Sequence, residues 1–218
     1  NGINPYIDRI LNEVHKLTER GYIDDEKIKK EKYQYIDELV TTINEYNDIL
    51  ALWIKMKQGT LSLNIEIFSL NELFELVGKG RRAFEMKKQT LEIEPTVVTV
   101  KADRALTLFM INTLAENARK YTPEGGNIKV YARMTDTYVE ISVEDNGRGI
   151  AAKDLPAIFD RFFRADASRN SSKGGSGIGL SIVKKIVEEH GGKIWATSKE
   201  GTGTVMYFVI RKYQEVPV

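Results

Sequence analysis

Apolar residues recur at intervals of three and four through most of the first 60 residues of the chain, a spacing that predicts two amphipathic helices. The first helix carries Ile7, Ile10, Val14 and Leu17. The second carries Ile36, Leu39, Ile43, Tyr46, Leu50 and Trp53. Gly21, Asp24 and Asp25 between them predict a turn, and therefore an antiparallel helical hairpin. Because a lone hairpin buries little, a dimeric four-helix bundle competes with an ordinary hairpin as the interpretation.

From about residue 61 the pattern changes to mixed strands and helices. Short strands are predicted at 63–68 and 97–100, on either side of a helix at 70–88. A longer helix is predicted to begin at Asp103, whose side chain can cap the first turn, and to end before Pro123.

The remaining segments alternate apolar and polar residues, which predicts strands. Strands at 128–132 and 139–143 form an antiparallel pair after a turn at 123–126. A last helix at 178–189 ends at His190-Gly191-Gly192, and two more strands follow at 194–197 and 205–210. We therefore expect an α+β protein with a hairpin domain at 1–60 and, at 61–218, a mixed sheet with helices on one face.

Composition narrows the function. The 218 residues carry a net charge of +1, which gives no bulk field to attract nucleic acid or an anionic membrane. The absence of Cys excludes disulfides, thiolate metal sites and a Cys nucleophile. No apolar run is long enough to cross a bilayer, so we expect this chain to be a soluble, cytoplasmic portion, which leaves open a membrane anchor in a longer parent protein.

The long helix carries Asn117, Lys120 and Tyr121 on neighbouring parts of one surface. An Asn oxygen is a suitable ligand for a Mg²⁺ ion that accompanies nucleotide phosphates. Taken alone, an Asn and a Lys near a helix end are usually solvated or capping residues.

Asp145-Asn146-Gly147-Arg148-Gly149 places an acid at the end of a strand, followed by two glycines at which the backbone can turn or admit a ligand. The carboxylate could accept a hydrogen bond from an exocyclic amine. An ordinary Asp-Asn-Gly hairpin turn is the alternative interpretation.

A glycine-rich segment, 174–180, opens the last helix, where backbone N–H groups and the helix dipole favour phosphate. No strand leads into it and no Gly-Lys-Ser or Gly-Lys-Thr follows, so dinucleotide-binding and Walker loops are disfavoured. Phe159 belongs to an aromatic anchor that precedes this segment, and the polar stretch 165–173 is predicted to be a mobile lid.

The order of an Asn-bearing helix, Asp-Asn-Gly-Arg-Gly, Phe-Asp-Arg-Phe-Phe-Arg, Gly-Ser-Gly-Ile-Gly-Leu and Gly-Thr-Gly-Thr resembles the catalytic domain of sensor histidine kinases. The resemblance covers about residues 100–210 and implies the Bergerat α/β sandwich that these kinases share with gyrase-type and Hsp90-type ATPases. It also implies ATP and Mg²⁺ as cofactors and protein-histidine kinase activity.

By this resemblance, Asn117 ligates Mg²⁺, Asp145 reads the adenine amino group and Tyr121 flanks the base. Lys120 and Arg164 hold phosphates, which makes them catalytic with Asn117. The resemblance assigns the rest of the nucleotide site to Gly147, Gly149, Phe159, Gly175, Gly177, Gly179, Leu180, Gly201, Thr202, Gly203 and Thr204.

More loosely, Asn4-Pro5 resembles the end of the family's phosphoacceptor motif, whose His would stand immediately before Asn1. His15 is expected to be solvated or to line the bundle, and His190 to cap a helix end. The resemblance implies a homodimer formed through the N-terminal helices and a response-regulator receiver domain as partner.

Position 113 separates the kinase from two alternatives. ATP-hydrolysing members of this fold place a Glu four residues before the metal-binding Asn, whereas this chain has Thr113, and Glu116 is rotated by about 100° along the helix. A gyrase-type or chaperone-type ATPase is therefore disfavoured. A non-catalytic, nucleotide-binding signalling scaffold is the other alternative, against which the filled glycine segments count.

Overall fold

The computed structural model of the chain describes residues 4–18, 26–160 and 179–214. It divides the chain into two compact units, Asn1–Leu61 and Ser62–Val218. The predicted turn at Gly21, Asp24 and Asp25 and the predicted lid at 165–173 lie outside the described residues.

The first unit contains helices α1 (Asn4–Thr18) and α2 (Glu26–Lys57), which pack against each other. Lys32 donates to Glu13 across the pair, and this hydrogen bond outweighs burial and lowers the pKa of the Glu13 carboxyl. Leu39 is buried between the helices, as the heptad spacing predicts. Three apolar side chains of α1 remain exposed in the single chain: Ile7, Leu11 and Val14.

The second unit contains two sheets. Strands β1 (Ile65–Ser69) and β3 (Thr99–Asp103) form an antiparallel pair. The larger sheet has the order β2-β4-β5-β7-β6. Its strands are β2 (Thr90–Ile93), β4 (Asn127–Met134), β5 (Tyr138–Asp145), β6 (Lys193–Lys199) and β7 (Gly203–Arg211). Because β2 is parallel to β4 and the other pairs are antiparallel, the predicted mixed sheet is confirmed.

In the described part of the second unit, four α-helices accompany the sheets, namely α3 (Leu70–Lys79), α4 (Arg81–Met86), α5 (Arg104–Tyr121) and α6 (Gly179–Glu189). A short 3-10 helix lies at Leu155–Ala157. Both α5 and α6 pack on the large sheet. The side chains that are almost fully buried include Leu73, Phe74, Met110, Ile111, Leu114, Ile141, Ile182, Ile186, Phe208 and Ile210. Burial of each such side chain stabilises the fold by roughly 1.5–3 kcal/mol.

The start of α5 is fixed by Asp103, as the sequence predicts. Its Oδ1 atom accepts a hydrogen bond from the Leu106 backbone N–H at 2.9 Å, and its Oδ2 atom accepts from Asn64 N–H at 2.9 Å. The first bond satisfies a helix N–H group that has no partner within the helix. Because Asp103 also ends β3, the small sheet leads directly into the helix that carries Asn117.

One predicted feature of this region is wrong, and one strand was missed. The predicted helix at 70–88 is broken at Gly80, whose N–H bonds to the Val77 carbonyl at 3.1 Å, because glycine is a poor helix former. The strand β2 was not predicted at all. It is short, follows Lys88 at φ 53°, and is defined mainly by its parallel pairing with β4, which a local pattern does not reveal.

His190 is fully buried at the end of α6. Its Nε2 atom accepts from the Asp103 backbone N–H at 3.3 Å, and its Nδ1 atom lies 2.9 Å from the Ile186 carbonyl oxygen. Burial lowers the pKa of the imidazole, and the neutral ring satisfies both contacts. His190 therefore joins α6 to the start of α5.

Within the described residues, every helix is too short or too polar to cross a lipid bilayer.

Candidate nucleotide-binding site

Asp145 is the last residue of β5, where it pairs with Ile128 of β4 and Thr204 of β7. Its Oδ1 atom accepts a hydrogen bond from the Gly147 backbone N–H at 2.9 Å. Burial raises the pKa of the carboxyl, although backbone hydrogen bonds from Gly147 and Thr204 act in the opposite direction. The half-buried carboxylate is a strong hydrogen-bond acceptor that is partly shielded from water. Such an acceptor suits an exocyclic amine.

The segment after Asp145 is docked on the turn between β6 and β7. Gly149 has φ +72°, and a Cβ there would lie 2.2 Å from the Lys199 carbonyl oxygen, so only glycine fits. Gly201 N–H donates to the Arg148 carbonyl oxygen at 2.7 Å. The first and last glycine segments of the sequence therefore form one continuous wall.

Hydrogen bonds of Ser198 and Thr204 join the two glycine segments of this wall. Ser198 Oγ accepts from Ile150 N–H at 2.7 Å and lies 2.8 Å from Thr204 Oγ1. Ser198 Oγ also donates to the Gly203 carbonyl oxygen at 2.9 Å. Sequence reasoning missed Ser198, because a Ser in an alternating strand gives no local signal of contacts across 48 residues. Of the predicted residues nearby, Thr204 is buried beside Asp145 and Thr202 is exposed.

The C-terminal part of α5 carries Asn117, Lys120 and Tyr121, and its last residue, Tyr121, lies beside the same wall. Asn117 and Lys120 are half-buried, and Tyr121 is 43% exposed. The Arg148 guanidinium carbon lies 5.0 Å from the centroid of the Tyr121 ring, a cation–π contact. A Cβ at Gly147 would lie 2.7 Å from the Tyr121 carbonyl oxygen, so the first glycine segment runs directly past the end of α5.

The start of α6 also lies beside α5. A Cβ at Gly179 would lie 3.5 Å from the γ-methyl group of Thr113, one turn before Asn117. Gly179 and Leu180 are half-buried there. The structure thus brings the end of the second glycine segment to the Asn-bearing helix. The other predicted residues of this segment, Gly175 and Gly177, and the predicted phosphate ligand Arg164 lie outside the described residues.

Thr113 and Glu116 are both engaged in local contacts on α5. Thr113 Oγ1 donates to the Phe109 carbonyl oxygen at 2.8 Å. Glu116 accepts from Arg119 Nε at 3.0 Å and also from Arg119 Nη2. Burial raises the pKa of Glu116, but Arg119 together with Lys120 and Lys87 outweighs it, so the pKa is lowered. A carboxylate with a lowered pKa is a weaker general base.

Phe159 follows the 3-10 helix and is half-buried, and its neighbour Ile158 is buried. The 3-10 helix contacts β6. The predicted aromatic anchor therefore begins on the sheet, while the residues from 161 onward lie outside the described residues.

A groove of about 780 Å³ reaches Asp145 from the other face of the sheet. Glu92, Lys129 and Glu144 line it, whereas Asn117 and Lys120 do not. Among the residues that the structure describes, no three His, Cys, Asp or Glu side chains cluster closely enough to hold a metal ion. A metal at this site would depend on an amide oxygen and on ligands from a bound molecule.

Comparison with known proteins shows which family the second unit resembles. The family described as histidine kinase-, DNA gyrase B-, and HSP90-like ATPase matches residues 102–214. The chain is 34% identical over 199 residues to the sensor protein KdpD of Clostridium acetobutylicum, covering 90% of this chain and 22% of that protein. It is 40% identical over 118 residues to the sensor histidine kinase WalK of Bacillus subtilis, covering 53% of this chain and 19% of that protein. The chain thus spans about a fifth of these two relatives.

Solved structures agree with these matches. The catalytic domain of histidine kinase ThkA superposes with a TM-score of 0.60 at 32% identity, covering 69% of this chain and 97% of that one. A complex of ThkA with response regulator protein TrrA covers 96% of this chain and 58% of that one, with a TM-score of 0.64 at 27% identity.

Proposed function

Because the chain belongs to the family of histidine kinase-, DNA gyrase B- and HSP90-like ATPases and carries an ATP-binding catalytic domain of the sensor-kinase type, we propose that it catalyses phosphoryl transfer from ATP to histidine. The γ-phosphoryl group passes to a His of the dimerisation hairpin and from there to an Asp of a response regulator.

Thr113 is the residue that favours a kinase over a hydrolase. Hydrolysis needs a base beside the attacking water, and this position offers a hydroxyl that already donates to the Phe109 carbonyl oxygen. The nearby Glu116 is held by Arg119 and has a lowered pKa. A kinase needs no such base, because an imidazole is itself the nucleophile.

In the proposed nucleotide site, Asp145 accepts a hydrogen bond from the adenine amino group and Tyr121 lies along the base. The close approach of Gly149 to Lys199 supports a wall formed by backbone at this point. Lys120 and Arg164 neutralise phosphate charge, as positioning and electrostatic catalysis of phosphoryl transfer require. Gly175, Gly177 and Gly179 line the phosphates in this proposal, and Phe159 and Leu180 close the site.

The residues fit a Mg²⁺ ion that is held mainly by the nucleotide. The half-buried Asn117 side chain offers one hard oxygen donor, and Mg²⁺ commonly binds through one or two protein oxygens plus phosphates and water. When bound, the ion would neutralise charge that develops on the transferred group.

The first unit would supply the dimer interface. Exposed Ile7, Leu11 and Val14 on α1 give an apolar surface that a second hairpin could cover in a four-helix bundle. The complex of the similar kinase ThkA with TrrA supports a response-regulator receiver domain as the partner of this chain.

A labelling experiment on the full-length parent protein tests the kinase proposal. With Mg²⁺ and ATP labelled at the γ-phosphate, we expect protein-bound label that survives alkali and is lost in acid, as a phosphoramidate is. His15→Ala should leave the label in place, since His15 is not the proposed acceptor. Multiple-turnover release of inorganic phosphate without protein labelling would favour the ATPase instead, and ATP binding with neither product would favour the signalling scaffold.

A further inference from the structure

Two side chains that precede β2 bind the carbonyl groups at the end of α5. Lys87 Nζ donates to the carbonyl oxygens of Arg119 at 2.8 Å and Lys120 at 3.2 Å. Gln89 Nε2 donates to the carbonyl oxygens of Arg119 at 2.9 Å and Thr122 at 2.7 Å. We call Lys87 and Gln89 the α5 clamp.

The clamp satisfies groups that an α-helix leaves without partners. The last four carbonyl groups of a helix have no intrahelical N–H donor, and the helix dipole makes that end negative. The ammonium of Lys87 is half-buried there and Gln89 is only 4% exposed, so both interactions are shielded from water. A charged donor and a buried amide hold the last turn more firmly than solvent would.

Backbone hydrogen bonds also join residues 87–90 to the segment that follows α5. Gly125 N–H donates to the Lys87 carbonyl oxygen at 3.4 Å, and Thr90 N–H donates to the Gly126 carbonyl oxygen at 3.0 Å. The strand β2 then pairs in parallel with β4 from Thr90 opposite Asn127. The segment that leaves α5 is therefore bound along its length by residues 87–90.

The first glycine segment holds the same turn through other atoms. Gly147 passes the Tyr121 carbonyl oxygen so closely that a Cβ would lie 2.7 Å from it, and Arg148 stacks on the Tyr121 ring. The backbone from Arg119 to Thr122 thus lies between the clamp and Gly147. This backbone carries the side chains of Lys120 and Tyr121.

We propose that Lys87 and Gln89 are positioning residues for nucleotide binding, which act by fixing the direction in which Lys120 and Tyr121 leave α5. The inference rests on the proposed function, since those two side chains contact ATP only in that proposal. In this proposal neither clamp residue touches the nucleotide. A small rotation of the last helical turn would move the Lys120 ammonium away from the phosphates.

The chain offers a matched control for Lys87. Its neighbour Lys88 has a largely exposed side chain that pairs with Glu124 at 3.0 Å on the surface. Lys88→Met removes the same charge one residue away without touching the end of α5. Lys87→Arg keeps a cation of similar reach, and Lys87→Met removes it.

The experiment measures Mg²⁺-ATP affinity by calorimetry, and thermal unfolding, for the 218-residue chain and each variant. Lys87→Met and Gln89→Met should each weaken binding about tenfold at a temperature where the variants are folded, the size expected if the misdirected Lys120 ammonium loses one charge-assisted hydrogen bond to phosphate. Lys87→Arg should restore affinity to within about twofold, and Lys88→Met should bind as the wild type does.

A double-mutant cycle with Lys120→Ala separates positioning from general stability. If Lys87 acts through Lys120, Lys87→Met should have little further effect on affinity in the Lys120→Ala background. The positioning role would be overturned if the affinity losses of Lys87→Met and Lys120→Ala were additive, or if Lys87→Met lowered thermal stability and left affinity unchanged. Neither result would contradict the proposed function. A wild-type chain that binds no ATP would instead overturn the proposed function, so the two failures are distinguishable.

Discussion

Gly203 packs directly against the backbone of Asp145. A Cβ built on Gly203 would be 2.1 Å from the Asp145 carbonyl oxygen and 2.9 Å from the Asn146 Cα, and Gly203 has φ +145°. Both the space and the backbone conformation exclude a side chain at 203. The position of the Asp145 carboxylate therefore depends on a glycine that is 58 residues away in the sequence.

Gly203→Ala is expected to lower the free energy of unfolding by more than about 3 kcal/mol and to abolish ATP binding, because the backbone clash adds to the conformational strain. Gly201→Ala is the matched control, since Gly201 has φ +79° but nothing within 4 Å of its Cβ position. It should cost only about 1–2 kcal/mol of strain. Urea unfolding measures both variants, and equal losses would contradict the steric account.

Asp145→Asn is expected to weaken ATP binding at least about tenfold while leaving the empty protein as stable as the wild type, or more so, at pH 7. Burial raises the pKa of Asp145 above its ordinary value of 3.8. A carboxyl whose pKa is raised on folding stabilises the protein most at a pH below the pKa that the group has in the unfolded chain. That contribution is lost as the pH rises through the folded-state pKa. Asn stays neutral and keeps an acceptor for Gly147 N–H.

Glu144→Gln is the control for Asp145→Asn, because it removes the same charge from the exposed neighbouring position. It should bind ATP as the wild type does. Calorimetry and thermal unfolding of the two variants give both quantities. A marked loss of stability in Asp145→Asn would mean that the carboxylate is structural.

His190 predicts a pH dependence of stability. Burial lowers its pKa below the ordinary 6.5, so the unfolded chain binds the proton more tightly than the folded chain does. The contribution of neutral His190 is fully present above about pH 6.5 and is lost as the pH falls through the folded-state pKa. His190→Gln, which can keep one hydrogen bond, should flatten the decline of the unfolding free energy below pH 6.5.

Thr113→Glu is expected to increase the release of inorganic phosphate by at least about threefold, because it places a general base four residues before Asn117. Thr113→Gln has nearly the same size without the base and should release phosphate at the wild-type rate. A phosphate-release assay compares the two. Equal rates in the two variants would remove the argument that position 113 separates a kinase from a hydrolase.

Much of the second unit was predictable because its signals are local. Asp103 could be recognised as a helix cap from its position before an apolar repeat, and the cap is confirmed. The large sheet was largely predictable from alternation along β4 and β5, whose antiparallel pairing is also confirmed. The matched family covers the Asn-bearing helix and the described glycine segments in one domain, as their order implied.

What could not be predicted depends on contacts between distant residues. The strand β2 exists because it pairs with β4, and Ser198 gains its role by meeting Ile150. Lys87 and Gln89 appear in the sequence as ordinary polar residues, and only the fold brings them to carbonyl groups some 30 positions later. The nucleotide-binding roles of all the predicted site residues, Arg164, Gly175 and Gly177 among them, stay predictions.

The most direct test of the account is calorimetric titration of ATP into the wild-type chain and into Asn117→Ala, each with Mg²⁺ and with a chelator. Ala suits a helix interior, so thermal unfolding should show that the variant keeps its fold. We predict one ATP site per wild-type chain, whose affinity for ATP falls when Mg²⁺ is removed. In Asn117→Ala we predict a much lower affinity for ATP that no longer depends on Mg²⁺. Unchanged affinity and unchanged Mg²⁺ dependence in Asn117→Ala would contradict it.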